Sequence, residues 1–159
     1  MIRVSAWIEG LCRAGAFLSA LCMALIVLLI VVEIFLRTFL GFSTMVSSEF
    51  SGYLLVGVVS LGLAYTLQHE AHIRITLIWG NLPQKWQTRL DILVACTSIL
   101  ITCFALYHSI LLVKDTYSLG MTADTMAKTP LWIPQAAIPA GLAMLLLQLI
   151  NFILRRLRS

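Results

Sequence analysis

Residues 47–78 read SSEFSGYLLVGVVSLGLAYTLQHEAHIRITLI. The stretch opens with a lone acid, Glu49, at the edge of an apolar run. About 20 residues without charge follow, enough helix to cross a hydrocarbon core of ~30 Å. The run ends in His69, Glu70, His72 and Arg74. Small residues space its middle: Gly52, Gly57, Ser60, Gly62 and Ala64. In lipid, helices are held together by van der Waals packing, and small residues let backbones approach closely. The pattern predicts a spanning helix over about 48–68, packed on by other helices and polar at both ends.

Composition extends this reading to the whole chain. Of 159 residues, 60% are hydrophobic and 11% charged, with a mean hydropathy of +0.97. Soluble domains carry about 25% charged residues. An all-α integral membrane protein in a single membrane domain, residues 1–159, is expected. The net charge of +4 comes from basic residues at segment ends, which implies topology and anionic headgroups and excludes nucleic acid as the partner. Cys12, Cys22, Cys96 and Cys103 form no C-x-x-C pair, so no disulfide or metal is assigned.

Upstream, an apolar run over about 14–36 is too long for the ~7–15-residue core of a signal peptide. No small-x-small cleavage site follows it, and Leu21 stands where a lipoprotein signal at Cys22 needs a small residue. A retained spanning helix is expected, ending in Glu33 and Arg37 on one helix face. The short connection 38–48 returns the chain to Glu49, so these three charges can gather at one membrane surface. They are either a solvated headgroup cluster or a charge clamp, between helices one and two or with a partner subunit.

Downstream of helix two, Ile73, Leu77, Ile78 and Trp79 outline an interfacial segment over about 72–80. Pro83 suits the first turn of helix three, expected over about 90–113 with Asp91 in its first turn. A polar loop, 114–128, precedes helix four over about 130–154. Thr129-Pro130 is expected to cap and start that helix. Pro139 deprives the Gln135 carbonyl of its helical donor and should kink it. Ala136/Ala140 and Ala137/Gly141 are small-xxx-small pairs. Four crossings put both termini on one side, together with the connection between helices two and three. Eight of the eleven Lys and Arg residues lie on that side and three on the other. The positive-inside rule then places both termini in the cytoplasm.

Chemistry is hard to assemble from these residues. His69 and His72 lie at one end of helix two, and His108 lies about 26 Å beyond Asp91 along helix three at ~1.5 Å per residue. They cannot ligate one haem iron. A metal site from His69, Glu70 and His72 is weak, because positions i and i+3 can share a helix face but Glu70 would point elsewhere. No catalytic set, cofactor site or metal site is expected. No mid-membrane charge and no paired broken helices mark a substrate path within the chain.

Taken in order, Glu33 with Arg37, Glu49, Leu61-Gly62-Leu63-Ala64, His72-Ile73, Leu82-Pro83, Thr129-Pro130 and Pro139 resemble the small membrane subunit (DctQ-type) of tripartite ATP-independent periplasmic (TRAP) transporters. The resemblance spans nearly the whole chain. Two positions depart from it: Ser48 and Thr76 stand where family members often carry acids. It implies a non-catalytic scaffold joined to a large membrane subunit, with a periplasmic binding protein delivering an organic anion for sodium-driven uptake in the bacterial inner membrane. Gly57, Ser60 and Ala64 would pack on the partner or on a sister helix. A redox-complex membrane anchor and a small multidrug-type exporter are the rival readings. The histidine placement opposes the first. Glu33, too close to the end of helix one, opposes the second.

Overall fold

The computed structural model describes residues 2–44, 46–69, 84–125 and 127–156. The expected interfacial segment 72–80, with His72, lies outside them. Helix α1 spans Ile2–Phe35 and continues as one wider π-helical turn, Leu36–Leu40. Then come α2 (Val46–Gln68), α3 (Gln84–Ser118), the four-residue α4 (Trp132–Gln135) and α5 (Ala137–Arg156). Four stretches are long and apolar enough to cross a membrane: Trp7–Leu40, Val46–Gln68, Ile92–Ser118 and Trp132–Leu154.

The contacts give an up-and-down arrangement. Cys22 and Ser19 of α1 meet Gly57 and Gly62 of α2 in antiparallel order. Ser60 of α2 lies against Gly141 of α5, and these two helices run the same way. Helix α1 also reaches α5, where the Cys12 thiol lies 3.8 Å from Gln148 Oε1. Helix α3 packs against α4 and α5, with no comparable packing on α1 or α2. The bundle therefore has a terminal end, which carries both terminal helix ends, and a hairpin end, which carries the α1–α2 connection and the loop into α4.

Small residues set the spacing. The buried residues of α2 are Ser47, Gly57, Ser60 and Ala64. A Cβ on Gly141 would overlap the carbonyl oxygen of Ser60, so α2 and α5 touch backbone to backbone. At Gly15 of α1 a Cβ would fall 3.0 Å from the Leu61 carbonyl. Helix α3 buries Ala95, Thr102, Ser109 and Thr116, one residue in every seven. A seven-residue repeat averages 3.5 residues per turn, the period that keeps one seam on a neighbour in a left-handed crossing. Between α1 and α2, Ser19 Oγ donates to the Val58 carbonyl at 2.8 Å. Such bonds contribute about 0.6 kcal/mol each in membranes. Close backbone packing is the larger stabilising effect.

Helix α1 starts at Ile2 and α3 at Gln84, ahead of the expected 14 and 90, and three further boundaries differ from the sequence reading. Helix α1, expected to end near residue 36, runs on to Leu40, where Gly41 at φ +70° ends it in the left-handed region. Helix α3 continues through Ser118 and stops at Gly120, φ +60°. Thr129-Pro130 does not cap helix four. Thr122 and Pro130 instead form an isolated antiparallel bridge, Ala123 N–H donates to the Thr129 carbonyl, and the helix begins at Trp132. The interruption at Ala136 separates α4 from α5 next to Gln135, whose carbonyl Pro139 cannot serve.

Replacing Gly141 by Ala should destabilise the bundle by about 1–3 kcal/mol, the usual cost of overpacking. Gly52 has nothing within 4 Å of its missing Cβ, so Gly52→Ala should leave stability unchanged or slightly raised. Thermal unfolding in detergent, followed by circular dichroism, measures both.

Candidate functional site

The chemistry-bearing groups of this chain sit at the hairpin end. Glu33 lies two residues before the end of α1 proper. Its Oε1 accepts from Ser43 Oγ at 2.6 Å and from the Thr44 backbone N–H at 3.1 Å, and its Oε2 accepts from the Thr44 hydroxyl. A carboxylate taking three donors from one short loop fixes how the chain turns from α1 into α2. Arg37, on the π-helical turn, attracts Glu33 through space but does not hold the loop itself. Phe35 and Phe39, where α1 passes into that turn, have ring centroids 4.4 Å apart.

Glu49 does a second job. It accepts from Tyr53 Oη at 2.8 Å on its own helix, and from the hydroxyls of Thr125 and Thr129 across the bundle. It thereby ties the start of α2 to the loop between α3 and α4. That loop is narrow and self-bonded, with Leu131 N–H on the Met121 carbonyl and Lys128 in the left-handed region at φ +44°. The two acids expected to meet Arg37 in one cluster thus each bind hydroxyls of a different connection. The sequence reading does not single out Ser43, Thr44 or Thr125, and it gives Thr129 only the role of a helix cap. The signal available is hydroxyl residues flanking both turns, which is common in loops and hence easily passed over.

The remaining predicted positions are internal. Gly57 lies against the Cys22 thiol, with its missing Cβ 3.4 Å from the sulfur, and Ser60 lies against Gly141. Ala64 is fully buried. Pro139 lines an open groove of about 430 Å³ with Ile110, Val113, Lys114, Tyr117 and Trp132. His69 stacks on Tyr65 at 4.1 Å near the terminal end, whereas His108 stacks on Phe104 at 4.4 Å towards the hairpin end. Among the described residues, no three His, Cys, Asp or Glu side chains converge to hold a metal ion.

An up-and-down bundle of four spans, closed by small residues and pinned by acids at one end, defines a multi-pass membrane protein whose groups bind helices and loops to one another. The comparisons narrow that class. A family model for the DctQ component of tripartite ATP-independent periplasmic transporters matches residues 26–159. An ectoine TRAP transporter small permease protein, TeaB of Halomonas elongata, is 29% identical over 128 residues, covering 78% of this chain and 66%, just under two thirds, of that protein. A TRAP transporter small permease protein of Haemophilus influenzae is 26% identical over 122 residues, covering 76% of this chain and 73% of its own length. The chain belongs to the DctQ family: it is a small permease subunit of a TRAP transporter, a non-catalytic component seated in the inner membrane.

Removing either acid should loosen its own connection. Glu33→Ala is expected to speed amide exchange at Thr44 and leave 121–131 protected. Glu49→Ala should do the reverse. Hydrogen-exchange mass spectrometry on the detergent-solubilised protein separates the two.

Proposed function

We propose that this subunit is the fixed scaffold of a secondary transporter that takes up an organic anion of the carboxylate or sulfonate class together with sodium. It joins a large membrane subunit that holds the substrate and sodium sites, and a periplasmic binding protein delivers the solute. The observation that carries this reading is what fills the bundle. Where α2 meets its neighbours, backbone contact and small side chains, Gly57, Ser60, Ala64 and Gly141, fill the space, a packing that supports a scaffold role. The name of the Halomonas relative assigns it ectoine, so the test panel includes ectoine beside simple anions.

Both termini face the cytoplasm in this proposal, on the strength of the eight-to-three distribution of Lys and Arg. The hairpin end, with Glu33, Arg37, Glu49 and the loop before α4, then faces the side from which a binding protein docks. The terminal end, with His69, then faces the cytoplasm.

A tagged chain coexpressed with its genomic neighbours should bring down a stoichiometric large membrane subunit. Uptake into proteoliposomes should require sodium, the binding protein and this subunit together. A homo-oligomer alone, despite coexpression, would overturn the scaffold reading. A green fluorescent protein fused after Ser159 should fluoresce and an alkaline phosphatase fused there should be inactive. Arg37→Glu should lower uptake without lowering recovery of the membrane complex; unchanged uptake would leave Arg37 a solvated headgroup charge.

A further inference from the structure

Most of α3 faces outward. Its buried seam, Ala95, Thr102, Ser109 and Thr116, is narrow, and the opposite face carries Leu100, Phe104 and Tyr107 at 73%, 68% and 62% exposure. Those three are spaced four and three apart, so they form one stripe. His108 flanks the stripe, also exposed, with its ring on Phe104 at 4.4 Å and 5.3 Å from the Tyr107 ring.

The depth of this cluster decides what can cover it. His108 lies six residues inboard of Lys114, about 9 Å at ~1.5 Å per residue, and about 26 Å from Asp91 at the other end. Side chains on a helix lean towards its N-terminus. The N-terminus of α3 is at the terminal end, so Tyr107 and His108 lean into the membrane and away from the surface near Lys114. The stacking of His108 on Phe104, one turn earlier, displays that lean. Neither ring can snorkel outward.

An imidazole and a phenol both need hydrogen-bond partners. Among the described residues, neither Tyr107 nor His108 has one; their contacts are ring to ring. Ser19, Thr97 and Ser109 are served by the carbonyls of Val58, Leu93 and Leu106, and the polar atoms left without a partner on Ser51, Gln68, Gln135 and Asn151 are buried inside the bundle, whereas His108 and Tyr107 face out of it. The outer face of α1 offers only hydrocarbon there, with Val27, Leu28 and Val31. Acyl chains suit that face and provide nothing to an imidazole.

We infer that the Leu100–Phe104–Tyr107–His108 face of α3 is the docking surface for a transmembrane helix of the large membrane subunit, which presents a hydrogen-bonding side chain to His108. The inference rests on the scaffold reading above and adds which face makes the contact. The aromatic rings supply area, and the unserved imidazole selects a polar protein partner over lipid or an apolar helix.

The test places a photo-crosslinking benzoylphenylalanine in place of Phe104, or in place of Leu28 on α1, within the complete transporter in native membranes. The expected result is an adduct with the large subunit from position 104 and none from position 28. An adduct from 28 instead, an adduct between two copies of this chain, or no protein adduct at 104 from a complex that still co-purifies would overturn the inference and leave the scaffold reading standing. Failure of the unsubstituted chain to bring down the large subunit would overturn both. His108→Leu should cut recovery of the large subunit about three- to tenfold, the size of one interhelical hydrogen bond in a membrane. His108→Gln should restore part of it. A lipid-facing position would give the opposite, with His108→Leu recovering the complex as well as the original chain or better.

Discussion

The contact between Ser60 and Gly141 is the constraint on which the rest of this bundle depends. In water a helix can be driven onto its neighbour by burying apolar surface. In lipid that drive is absent, because the alternative surroundings are equally apolar. What remains is the gain from packing backbones closer than lipid chains can pack, and only residues without bulk permit it. Helix α2 meets α1 through Gly57 and Gly62 and meets α5 through Ser60. It is therefore the shared wall of two close contacts, and α1 and α5 are positioned by it.

The polar groups act on a different scale. They contribute little to holding helices together, but they decide where the turns go. Glu33 and Glu49 sit at the same end of the bundle, and each gathers hydroxyl donors from a loop. The consequence is a hairpin end whose two connections are both fastened to helix α1 or α2. The loop before α4 belongs in sequence to α3 and α5, yet Glu49 binds it to the start of α2. A partner docking there meets one continuous, fastened surface.

How much of this is legible in the residues follows from how each feature is encoded. The four spans are written in run length and charge placement, so their number and order can be read directly. The small-residue stripe of α2 is visible as Gly57, Ser60 and Ala64, but its periodicity does not say whether a sister helix or another subunit fills it. The contacts with Cys22 and Gly141 supply that answer. Ala95, Thr102, Ser109 and Thr116 repeat every seventh residue and escape notice, because threonine and serine dispersed in an apolar run resemble incidental polar residues until their spacing is counted. Thr129-Pro130 misleads for a local reason. The pair suits a helix start, but the Thr129 backbone carbonyl and its hydroxyl are both taken by other partners, and the helix begins only at Trp132. The opposed duties of Glu33 and Glu49 depend on which loop comes near, and no spacing rule encodes that.

The single-sided attachment of α3 has a mechanical consequence. Its apolar span, Ile92–Ser118, is 27 residues, about 40 Å of helix against a hydrocarbon core of ~30 Å. A helix longer than the bilayer is thick must lean, and the lean is limited by whatever packs around it. Helix α3 is gripped along one line of small side chains, and that line can serve as an axis. A thicker bilayer draws it upright and a thinner one lays it over, while α1, α2 and α5, locked by backbone contact, keep their geometry. Bilayer thickness is thus felt first at the one helix that the rest of the bundle holds by a seam.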